Sequence, residues 1–105
     1  MTTTFQVLYW HNIPLQVRAQ EGRSRAGKPL SERFQVAIDN AAMAANLTGT
    51  DAYLDLLQWS AAQERSGTPA EVVEAVAAEL EAAFTTIPWR ETAARLSQAK
   101  PGADG

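Results

Sequence analysis

An α+β domain is what this sequence predicts, in the order strand, strand, helix, strand, helix and short terminal helix. Two β-forming segments lie too close together for anything but an antiparallel hairpin. Helical periodicity marks two later stretches, and 105 residues suit a single core. The sheet is expected to be antiparallel, about three strands wide, with the helices on one face. One domain is expected over residues 1–98, followed by a disordered tail at 99–105.

Residues 4–10 are rich in β-formers, and both of their faces are largely apolar, which suits a strand covered on both sides. Leu15, Val17 and Ala19 then alternate with Gln16, Arg18 and Gln20, the pattern of a strand with one wet face. Only His11, Asn12, Ile13 and Pro14 separate the two segments, so they form a hairpin. Pro14 lacks an N–H and belongs in the loop or at the first strand position. "EGRSRAGKP" follows, with Gly22, Gly27 and Pro29 bracketing a basic cluster, and reads as an exposed loop.

Ser31 is a good N-cap, and Glu32 falls where a helix dipole favours an anion. Phe34, Ala37, Ile38, Ala41, Ala42 and Ala45 make the buried stripe of the first helix, with Asn46 and Gly49 as its stop. Residues 53–59 fit neither period. As a helix, Leu54 and Leu57 share a face that Leu56 and Trp59 leave; as a strand, Tyr53, Leu57 and Trp59 face away from Leu54 and Leu56. A third strand over roughly 56–65 is expected, because a two-stranded hairpin alone is marginal. Thr68-Pro69-Ala70-Glu71 is a capping box with proline at the first helical position. Val73, Val76, Ala77, Leu80, Ala83 and Phe84 line the inner face of that second helix. Pro88 opens a terminal helix carrying Trp89, Ala93 and Leu96.

Composition excludes much chemistry. No cysteine means no disulfide, thiolate metal site or thiol nucleophile in this chain. A lone histidine and carboxylates without calcium-loop spacing give no metal site. His11 has no local orienting partner for acid–base work, so no catalytic residue is assigned and no enzyme activity is expected. "GRSRAGKP" has the glycine spacing and lysine of a phosphate loop, but Pro29 stands where a hydroxyl residue is required. No cofactor is expected. No apolar run is long enough to span a membrane, and the first ten residues lack the features of a secretory signal, so the default reading is cytoplasmic.

Charge is divided along the chain. Residues 14–33 hold five cations against two acids, and residues 51–91 hold eight acids against two cations. Such asymmetry concerns partners and not fold. The pI of about 5 and the acidic second half argue against nucleic acid, and a basic stripe on an acidic domain suits an acidic protein or a small anion. With three tryptophans available, the expected interaction surface comprises Trp10, Arg18, Arg23, Arg25, Lys28, Arg33 and Trp59. A protein partner or homo-oligomer is expected there.

The ordered pieces "VLYWHNIPLQV" and "GRSRAGKPLSERFQVAIDNAAMAANLTGTDAYL", then a tryptophan and the Thr-Pro-Ala-Glu helix, resemble the small bacterial virulence factor domain family. The same domain resembles a module of staphylococcal conserved virulence factor proteins that also carry helical repeats. The resemblance spans about residues 5–84. Its most specific parts are Tyr9-Trp10-x-x-Ile13-Pro14, "FQVAIDNAAM" and "TDAYL". The family name describes a phenotype and not a chemistry, so the resemblance carries over no catalytic or cofactor residue. It implies a small accessory or interaction module, with an anion-binding or enzyme-associated role, in one-carbon or corrinoid methyl transfer, as the alternative.

Overall fold

A computed structural model of the chain describes residues 2–49 and 51–99. The elements run β1 (Thr2–Trp10), β2 (Ile13–Glu21), β3 (Ser24–Pro29), α1 (Glu32–Ala44), α2 (Asp51–Asp55), β4 (Leu57–Trp59), β5 (Gln63–Ser66), α3 (Pro69–Ala83) and α4 (Trp89–Ala99). The fold is α+β, with an antiparallel sheet of five strands ordered β3-β2-β1-β4, β5 pairing with β1 beside β4. The tail expected at 99–105 lies, from residue 100 on, outside the described residues.

The basic segment read as a loop is strand β3. A two-residue turn, Gly22–Arg23, returns the chain so that Glu21 pairs with Ser24 and Gln16 with Pro29. Gly22 has φ +58°, as the first position of a type II′ hairpin turn requires. Gly27 and Pro29 are tolerated because β3 is an edge strand, and Pro29 ends it. The first hairpin is likewise tighter than expected. Its turn is His11–Asn12 alone, with His11 at φ +56°, and Ile13 and Pro14 already belong to β2. Register slips by one residue there, leaving Leu15 as a bulge between Gln16 opposite Leu8 and Pro14 opposite Tyr9.

The undecided stretch divides. Residues 51–55 form one helical turn, and Leu57–Trp59 pairs antiparallel with Leu8, Tyr9 and Trp10. The single third strand expected over 56–65 is two strands, because Ser60 interrupts the ladder. Its N–H donates to the Val7 carbonyl, and its hydroxyl accepts from the Val7 N–H at 3.0 Å.

Helices α1 and α3 pack on the same face of the sheet, and α4 packs on α1. Every residue of the expected α1 stripe is buried, and α3 adds Val72, which the expected stripe omits. Ala83, expected on the inner face, is exposed. Helix α1 ends in a Schellman motif: the Leu47 N–H donates to the Ala42 carbonyl, the Asn46 N–H to that of Met43, and Asn46 sits at φ +60°. Helix α3 begins with the complete capping box of Thr68 and Glu71.

Candidate functional site

The site is built from the strands' alternation. In β1, Thr3, Phe5 and Val7 point into the core; in β2, Val17 and Ala19 do. The opposite face then carries Thr2, Thr4, Gln6 and Leu8 from β1, Gln16, Arg18 and Gln20 from β2, and Arg25 and Gly27 from β3. Trp59 joins them, because it pairs with Leu8. No described helix covers this face. It is polar almost throughout, the reverse of the two-sided burial expected for residues 4–10.

Arg18 is the organised element of the face. Its Nε and Nη2 donate to Gln6 Oε1 at 3.0 and 2.8 Å, and its guanidinium carbon lies 3.8 Å above the centre of the Trp59 ring. The Gln6 amide in turn donates to the Ser60 carbonyl at 2.9 Å. A hydrogen-bonded and stacked arginine gives up much of its rotamer freedom before any ligand arrives. Nη1 has no acceptor among the described residues. Beside Arg18, a groove of about 420 Å³ is lined by Thr2, Thr4, Gln6, Gln20, Glu21 and Arg25 together with the β2–β3 turn at Gly22. Arg18 and Arg25 are diagonal neighbours across β2 and β3, since Arg18 pairs with Gly27 and Gln20 with Arg25.

The expected interaction residues therefore divide into three groups. Arg18, Arg25 and Trp59 stand together on the open face, with Arg23 at the adjoining turn. Lys28 and Arg33 are on the helical side instead and are engaged there. Lys28 pairs with Glu74 at 3.0 Å, and Arg33 pairs with Glu81 while also donating to the Glu81 and Phe84 carbonyls. Trp10 is no surface residue at all. It is wholly buried, donates from Nε1 to the Tyr53 carbonyl at 2.9 Å and meets the Tyr53 ring at 5.5 Å.

Much of the charge division is thus settled internally. Arg65 on β5 pairs with Glu79, so three glutamates of α3 are matched by cations of β3, α1 and β5. The hydrogen bond from Arg65 holds the Glu79 carboxyl below its ordinary pKa. Ser31 makes no capping bond to α1; its N–H and hydroxyl donate instead to the Glu81 carboxylate of α3 at 2.7 and 2.9 Å. Desolvation pushes the Glu81 carboxyl up, but the Ser31 N–H, the Ser31 hydroxyl and Arg33 together outweigh it and lower the pKa.

His11 takes a structural place. It is exposed in its turn, and its backbone N–H donates to the Leu56 carbonyl at 3.0 Å. Its neighbour Asn12 accepts from the buried Thr92 hydroxyl at 2.7 Å and so ties α4 to the hairpin. The His11 turn and the basic turn lie at opposite ends of β2, roughly 25–30 Å apart at ~3.3 Å per residue, so no single site uses both. Among the described residues no group of three or more His, Cys, Asp or Glu could hold a metal ion, and no helix is long and apolar enough to cross a membrane.

Fold and site together define a small two-layer α+β domain that buries one face of its sheet and leaves the other uncovered, polar and armed with arginine. The chain belongs to the virulence factor family, whose model matches residues 8–88. No curated protein matches it significantly, and neither does any solved structure.

Proposed function

We propose that the protein is a non-enzymatic interaction module that docks a partner protein on the open face of its sheet. The observation that carries this reading is the placement of Arg18. It is fixed in advance by Gln6 and Trp59 and borders a groove. Two of the five cations of the basic stretch are spent on α3; the three near this face have no carboxylate within ion-pairing distance among the described residues. Docking energy commonly concentrates in a few arginines and aromatics, which is what the face offers.

The test is charge reversal on one face against a change on the other. The full-length protein, as bait, is compared with Arg18→Glu/Arg25→Glu and with Ala78→Glu on the exposed side of α3. The reading expects a stoichiometric partner whose retention falls about tenfold or more in the double variant and is unchanged in A78E. A partner held equally by all three proteins would overturn it, as would the absence of any stoichiometric partner.

A further inference from the structure

Resting on that docking reading, we infer that the groove beside Arg18 and Arg25 receives a carboxylate-bearing, acidic segment of the partner protein. The charge on the face asks for an anion. Arg18 keeps an unpaired Nη1, and Arg25, its diagonal neighbour, has no described hydrogen-bonding or ion-pair partner, although the chain carries more acids than cations. Paired guanidinium groups suit planar carboxylates, which they grip through two N–H donors at once.

The remaining chemistry selects among anions. A single-stranded nucleic acid on an open sheet needs bare aromatic rings on which bases stack. The one tryptophan of this face, Trp59, is already stacked by Arg18 at 3.8 Å. A free phosphate wants an enclosing cradle of N–H groups, whereas this groove is open and walled by the side chains of strands already paired through their backbones. Thr2 and Thr4 offer hydroxyls and Gln20 an amide oxygen, groups that suit the polar backbone of a peptide. A carboxylate bound at Nη1 leaves the two hydrogen bonds to Gln6 in place.

The experiment titrates the full-length, isotope-labelled protein at low salt with three probes: hexaglutamate, inorganic phosphate and oligothymidylate. The side-chain Nε–H signals of Arg18 and Arg25 and all backbone amides are followed by NMR. Expected are saturable hexaglutamate shifts centred on β2 and β3, weakened about tenfold or more in Arg18→Gln/Arg25→Gln. In Lys28→Gln, which removes a cation already paired with Glu74, affinity should stay within about twofold. Matching thermal midpoints establish that the variants are folded. The inference is overturned if hexaglutamate gives no saturable shift at millimolar concentration, if its shifts centre elsewhere, or if phosphate or oligothymidylate binds as well. Failure here with a partner still released by Arg18→Glu/Arg25→Glu removes the acidic ligand and leaves the docking face. A partner indifferent to that reversal removes the face itself.

Discussion

Single residues carry assignments that their type alone misstates. Tryptophan suits a core as well as an interface, and only tertiary placement separates the two. Trp10 closes the hairpin end of the core beside Ile13, and its indole N–H is satisfied by Tyr53. Trp10→Phe should therefore cost about 1–3 kcal/mol, from lost volume and the lost Nε1 hydrogen bond, measured as the shift in urea unfolding at constant m. A change below about 0.5 kcal/mol would return Trp10 to the surface. Trp59, of the same type, is half-buried beneath Arg18 on the outer face. Nothing in the sequence near either residue distinguishes them. Their places come from pairings between distant segments, Trp10 opposite Ile13 and Leu57, and Trp59 opposite Leu8. His11 and Asn12 teach the same lesson, because Thr92, the partner of Asn12, is 80 residues away.

Elements whose signals are local were legible. The capping box of α3, the α1 stripe and the Asn46 stop each rest on a few adjacent residues, and each forms as expected. Strand β3 was not legible, for a physical reason. Its inward side is Ser24, Ala26 and Lys28, so alternation has one apolar residue to show, while its glycines and proline are the usual marks of a loop. Pairing to β2 and the contact of Lys28 with Glu74 make it a strand. The start of α1 is held non-locally too, since the Ser31 N–H and hydroxyl donate to Glu81 of α3 and Ser31 does not cap its own helix. An acid near the end of its own helix is poorly placed for that dipole, but the same carboxylate faces the start of α1, where the dipole favours it.

That exchange has a pH signature. The Glu81 pKa is lowered on folding, so its stabilisation is fully present above the unfolded value of about 4.3 and is lost as pH falls through the lower folded value. Glu81→Gln should cost roughly 1 kcal/mol at neutral pH, an allowance that includes solvent screening. In urea unfolding the gap between wild type and E81Q should stay level from pH 7 to about 5 and close below about pH 4. A gap that widens on acidification would contradict the assignment.

At the scale of the molecule, the division of charge along the chain has an intramolecular purpose that sequence counting does not reveal. Lys28, Arg33 and Arg65 reach across to α3 and neutralise Glu74, Glu81 and Glu79. What survives for a partner is narrower than the basic stretch: Arg18 and Arg25 on the open face, with Arg23 beside them at the turn. The general form of the fold, helices on one side of an antiparallel sheet, follows from the hairpin and the two helical stripes. The width of the sheet and the polarity of its outer face do not, because both depend on β3 joining it.

The most direct test of the docking face is positional. A photoreactive benzophenone amino acid is placed at Gln20, on the open sheet face, or at Ala78, on the exposed side of α3, in full-length protein expressed in living cells. Irradiation should give a discrete adduct from position 20, abolished by Arg18→Glu/Arg25→Glu, and none from position 78. An adduct from position 78 with none from position 20 would contradict the account.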